Sequence, residues 1–173
     1  MKFIKLVSIF FVLIFAQNTV LADVPHYLDF KYILNSSEAG KKAQAYLKNR
    51  LDKGLKNIGE KEKKIVEEEK KIISQKKVIS QEEYKKKVED LRKKVLNLQK
   101  ERNTLLEEVA KNRAKAKDTL LKNLNPIVKD YMKEKKIRMV IDKKNLLLAD
   151  DRLDITKDIM NLLNNKIKSI SLK

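Results

Sequence analysis

Between Tyr84 and Val109 the apolar residues fall at alternating steps of four and three: Tyr84, Val88, Leu91, Val95 and Leu98, then, beyond Arg102, Leu105 and Val109 in the same phase. A stripe this narrow with a 3.5-residue period is an a/d heptad seam, which predicts a long helix that needs a partner helix along its length. The preceding stretch supplies one. Ala43, Leu47, Leu51, Leu55 and Ile58 lead into steps of seven at Ile65, Ile72 and Ile79, while the companion heptad line fades from Leu55 to Glu62, Glu69 and Lys76. Pairing is therefore expected to be firm near the base and loose toward the tip.

The pattern predicts an antiparallel coiled-coil hairpin over residues 46–114, with its tip at about 74–80. Ser80-Gln81-Glu82-Glu83 reads as a capping box for the second rod, Ser80 accepting from the amide of Glu83 and Glu83 reaching back. At 1.5 Å per residue the first arm, from Ser37 to Ser74, would be roughly 55 Å long. One continuous rod over 37–124 is the rival, and the cap at Ser80 is the local argument against it. Gly54 and Gly59 each weaken the first helix by about 1 kcal/mol relative to alanine and read as solvated weak points or places to bend.

Outside the hairpin the periodicity changes. His26, Leu28 and Phe30 would share one face of a strand at about 25–30, and Ser36 or Ser37 can cap the helix that follows. Asn125-Pro126 predicts a kink or a fresh helix start. Residues 137–142 and 146–149 read as two strands of a β-hairpin, with Asp142-Lys143-Lys144-Asn145 as the turn. Thr156 can cap a last helix at about 157–168, on which Ile159, Leu162, Leu163 and Ile167 form one apolar face. The expected fold class is α+β, predominantly α: a helical hairpin projecting from a small β-containing body made of 23–45 and 115–173.

Composition sharpens this picture. Of 173 residues 38% are charged and 6% aromatic, which leaves little for a compact core and favours an elongated shape. Lysine and arginine outnumber acids by 41 to 24, a formal +17 that points to an acidic partner: nucleic acid, anionic lipid or an acidic polypeptide. The surplus is dense on both arms, at Lys70, Lys71, Lys76 and Lys77 on one and Lys85, Lys86, Lys87, Arg92 and Lys93 on the other. Interleaved glutamates make part of it the ordinary solvated face of a coiled coil. Residues 1–22, with Lys2 and Lys5, an apolar run and small residues around Ala22, read as a cleaved secretory signal whose apolar core is shorter than the ~20 residues of a bilayer span. Its removal lowers the charge by two.

Candidate chemistry is sparse. Cysteine is absent, so disulfides and thiolate metal sites are excluded. Gly40-Lys41 lacks the glycine that a phosphate loop would place at 35, where Asn35 stands. The lone His26 lies in a predicted strand, and no nucleophile elbow accompanies it. No enzyme, metal or cofactor is expected.

Taken in order, Tyr27-Leu28-Asp29, Ala39-Gly40-Lys41, a long Lys/Glu hairpin, Val140-Ile141-Asp142-Lys143 and Asp154-Ile155-Thr156 give the chain its likeness: over nearly all of 23–165 it resembles the Skp/OmpH family of periplasmic chaperones. The resemblance implies a homotrimer in which three hairpins project around a cavity, and ATP-independent holding of unfolded outer-membrane β-barrel proteins in the periplasm. On that reading the nine basic arm residues named above meet clients, and Leu28, Phe30, Met139, Ile141 and Leu147 belong to the oligomerising body. The family's lipopolysaccharide contacts have no position-by-position match and are not carried over, while lipopolysaccharide or another anionic lipid stays open as a partner. A nucleic-acid partner is disfavoured by the export signal, the interleaved glutamates and the lack of stacking aromatics. A structural envelope coiled coil touching anionic lipid is the alternative.

Overall fold

The computed structural model describes residues 24–172, and the predicted signal segment lies outside them. In chain order these form β1 (His26–Leu28), α1 (Phe30–Ser36), α2 (Glu38–Gln75), α3 (Gln81–Lys135), β2 (Val140–Asp142) and α4 (Thr156–Lys166). Single 3-10 turns occupy Lys143–Asn145 and Asp151–Leu153. The two long helices run antiparallel as a hairpin. Everything else gathers at its base.

β1 is the centre of that base. It pairs in parallel with β2, in the register His26 to Val140, Tyr27 to Ile141 and Leu28 to Asp142, and its other edge bridges Tyr27 to Asp154. The amide of His26 donates to Met139 O at 3.0 Å, and that of Ile155 donates to Tyr27 O at 2.9 Å. The β-hairpin expected between 137–142 and 146–149 is therefore absent. Strand pairing is already supplied by β1, the Asp142 carboxylate accepts from Lys144 N at 3.3 Å to start a 3-10 turn, and the 146–149 segment forms no strand.

Phe30 is likewise not a strand residue. Asp29 Oδ1 accepts from Tyr32 N at 2.7 Å, so Asp29 ends β1 and caps α1. Ser37 closes α1 and opens α2 in one step: its amide donates to Ile33 O, and its buried hydroxyl accepts from Gly40 N at 3.2 Å. A Cβ at Gly40 would collide with the Leu34 carbonyl oxygen, so the corner requires glycine.

α3 runs through Pro126 as one helix, so the fresh helix start allowed there does not occur. Leu124 and Ile127 on either side are buried in the body core with Leu28, Ile33, Ile155, Ile159 and Leu163, and this packing offsets the proline's loss of a hydrogen bond. Thr156 is the first residue of α4 rather than its cap. Its amide donates to Asp154 Oδ1 at 2.8 Å, and its hydroxyl accepts from Asp29 N at 2.8 Å, tying α4 to the end of β1. The Tyr131 hydroxyl donates to Asp158 Oδ2 at 2.6 Å, and holding that proton, together with burial, pushes Tyr131 up to about 12. Because this exceeds the ordinary 10.0, the α3–α4 tie is complete below pH 10 and is lost as the pH rises toward 12.

The arms meet along most of the predicted seam, but Leu55 and Val95, expected on it, are 41% and 48% exposed. Leu98, Leu105 and Val109 of α3 are buried with Ala43, Leu47 and Ile58 of α2, and Leu51 and Ile65 pack against them. Gly54 is no solvated weak point, because its missing side chain leaves room for Leu105. Gly59 faces open space. Gly40→Ala is thus expected to destabilise the chain by about 2 kcal/mol or more, through overpacking against backbone. Gly59→Ala should stabilise it by up to about 1 kcal/mol, both read as shifts in urea midpoint.

Candidate functional site

The predicted basic residues collect toward the tip. Lys76 and Lys77 lie in the turn, Lys70 and Lys71 on the last turns of α2, and Lys85, Lys86 and Lys87 on the first turns of α3, with Arg92 and Lys93 further down. All are exposed except the half-buried Lys87. They are not equivalent. Lys87 lies 3.3 Å from Glu83 and donates to Gln75 at 2.8 Å, and Lys93 lies 2.8 Å from Glu89, whose hydrogen bond and charge raise its pKa. Lys76 sits 5.8 Å from the Tyr84 ring centroid. Among the described residues, Lys70, Lys71, Lys77, Lys85, Lys86 and Arg92 have no acidic partner and present free positive charge.

Glu83 pairs with Lys87, and the amide of Glu83 donates to Ser80 Oγ at 3.2 Å, which fixes the start of α3. Beside the tip cations stand apolar side chains that the seam leaves out: Ile73 is 58% exposed and Val78 83% exposed. Further down, Val66, Val95, Leu96 and Leu106 are also exposed. The seam is too narrow to cover them. Two of its polar positions face each other, with Arg102 of α3 lying 3.5 Å from Glu62 of α2. Other cross-arm pairs are Arg50 with Glu108 at 2.7 Å, Lys61 with Glu101 at 2.5 Å and Lys94 with Glu68 at 2.6 Å.

A second surface, which the sequence reading did not single out, lies at the base of the arms. A groove of about 930 Å³ opens there between α2 and α3, with Ala43, Leu47, Leu51, Val109, Ala116 and Leu120 forming its apolar floor. Lys41, Lys48, Arg113 and Lys117 line it, and no acidic residue does. Lys41 and Lys48 are seven residues apart and Arg113 and Lys117 four apart, so each pair shares a helix face. A groove of about 620 Å³ higher up contrasts with this one, since Glu101 and Glu108 line it beside Arg50, Lys53 and Lys100. The signal for the lower groove was present as Ala43 and Ala116: small side chains on facing seams leave a hollow at the helix junction although both are buried.

The residues assigned to an oligomerising body divide. Leu28 is buried in the chain's own core, Phe30 packs on it and Ile141 is half-buried. Met139 is 57% exposed and Leu147 is 96% exposed, with Leu148 beside it also exposed. Leu147 is thus displayed on a loop, not on a strand.

A helical hairpin standing on a small parallel strand pair defines the class of protein. A family model described as outer membrane protein (OmpH-like) matches residues 26–163, and the chain belongs to that family. The structure is similar to the crystal structure of a candidate outer membrane chaperone (OmpH-like) from Caulobacter crescentus CB15, with a TM-score of 0.78 and 22% sequence identity. The match covers 90% of this chain and 93% of that one, and at this identity the likeness is one of fold. No curated protein sequence matches the chain.

The Arg102–Glu62 pair marks a place where the arms are held by half-exposed charges rather than apolar burial. Replacing both with leucine continues the seam, and is expected to stabilise the chain by about 1–3 kcal/mol, raising the thermal midpoint by several degrees. Either leucine alone should gain less, since the other charge loses its partner.

Proposed function

We propose that the chain is an ATP-independent periplasmic holdase, exported by residues 1–22, which assembles as a homotrimer and keeps unfolded outer-membrane β-barrel proteins from aggregating. The observation that carries this reading is the groove at the arm base, which four cations and no acidic residue line above a largely buried apolar floor with Leu51 partly exposed. An unfolded β-barrel segment carries alternating apolar residues and acidic groups, so it meets both features at once. The free cations nearer the tip extend attraction outward over the ~8 Å screening length of physiological salt. Exposed Ile73, Val78, Val95 and Leu96 offer further weak apolar contacts. Many weak contacts without fixed geometry give broad specificity, and no catalytic step is required.

Trimerisation answers a separate physical need. A sheet of two three-residue strands and one bridge is marginal by itself, and Met139, Leu147 and Leu148 leave apolar surface uncovered beside it. A second reading, docking of the tip on anionic lipid, draws support from the exposed Val78 among lysines.

The test is suppression of aggregation of a urea-denatured porin diluted into buffer. Protection should weaken as salt rises and be indifferent to ATP. Lys41→Gln, Lys48→Gln, Arg113→Gln and Lys117→Gln combined should lower it at least severalfold with helicity unchanged. Light scattering should give three copies per particle. Full protection by the combined variant would remove the base groove from the mechanism, a monomer would remove the cage, and vesicle binding without porin protection would favour the lipid reading.

A further inference from the structure

The family match ends at residue 163, yet the chain continues through a tail that packs back onto the arms. α4 ends at Lys166, where the amide of Ile167 donates to Leu163 O at 2.9 Å and the backbone turns extended. Lys168 then lies 3.0 Å from Glu38 at the foot of α2. Beyond it the tail alternates. Ser169 and Ser171 are exposed, Ile170 packs against both the body core and the arm seam, and Leu172 is only 5% exposed within the seam cluster that includes Ala43 and Leu47. Among the described residues, 168–172 make no backbone hydrogen bond to the rest of the chain. Side chains alone hold the segment.

The arm base thus already holds a non-helical segment with apolar residues at alternate positions, without using its backbone. That is the pattern of a transmembrane β-strand before it folds, in which alternate residues are apolar. Such a seat reads side-chain alternation and leaves the backbone free, so it tolerates any sequence with the same pattern. An occupant fixed by two apolar side chains and one exposed ion pair is also readily exchanged.

We propose that residues 168–172 are an internal stand-in for client, occupying at the base of the arms a site for polypeptide segments with alternating apolar residues, and that such segments displace the tail. The identity of the competitor rests on the holdase reading. The site itself does not, since the tail is its occupant here.

The decisive measurement uses a fluorescent peptide of residues 164–173 as probe, followed by anisotropy. A chain ending at residue 167, checked for unchanged helicity, should bind it at least tenfold more tightly than the full chain. A peptide carrying Ile170→Ser and Leu172→Ser should not bind. Equal binding to both chains, or binding of the serine peptide, overturns the proposal. If the shortened chain does not fold, Leu172→Trp in the full chain decides, because the sequence has no other tryptophan. Its emission should shift to the red when excess unlabelled tail peptide or denatured porin is added, and unmoved emission overturns the displacement. Porin protection by the unaltered chain is scored separately, so its loss would refute the holdase reading while leaving the peptide result to stand or fall alone.

Discussion

The structure depends on β1 being gripped along both edges by residues from the far end of the chain. Leaving β1, the polypeptide travels out along α2 and back along α3 before Val140–Asp142 returns to pair with His26–Leu28, and Asp154 completes the other side. Closing an excursion of that length carries an entropic cost, though it grows only slowly with loop length, and three strand residues would not meet it alone. The surrounding body does. Ile33, Leu124, Ile159 and Leu163, all essentially inaccessible, come from three separate helices, α1, α3 and α4, and lock the same closure from outside the sheet. Asp29 links the two systems, its side chain capping α1 while its amide donates to Thr156.

Held at the base, the arms are free to be weakly joined elsewhere. The seam is broad near the body, where Ala43 and Leu47 lie opposite residues such as Val109 and Ala116, and narrows outward to single buried residues such as Ile72. Cross-arm ion pairs fill the intervals, yet exposed pairs of this kind contribute at most about 1 kcal/mol each. Repulsion among unpaired lysines near the tip acts against them. The balance leaves the arms attached along their length without a deep core, so the opening between them is set more by the base than by the tip.

The hairpin was legible because heptad spacing states directly which residues face a partner. Ser80 marked the start of the second rod because a serine three residues before a glutamate has one local use at a helix start. The body was harder to read. Residues 146–149 have strand composition, but strand formation needs an unpaired neighbour, and β1 had already taken β2 in parallel across more than a hundred residues of sequence. Phe30 continued an alternation that Asp29 ended by turning its carboxylate onto Tyr32 N. Gly54 looked like a solvated defect until Leu105 was found in its space. Each misreading arose where a contact distant in sequence overrode a local preference.

The same logic explains why the lysine-rich tip was the obvious functional candidate while the base holds the better-defined surface. Charge is visible in a sequence wherever it occurs, so the eye goes to its densest run. A groove in the fold is visible only after packing is known, because Ala43, Leu47 and Ala116 read as ordinary seam residues and are buried as such, while the cations around them turn out to line one hollow. Attraction needs only the first property. The proposed retention of an unfolded chain would need both together, and at the base Lys41, Lys48, Arg113 and Lys117 line one groove with Leu51 and the largely buried apolar residues of the seam.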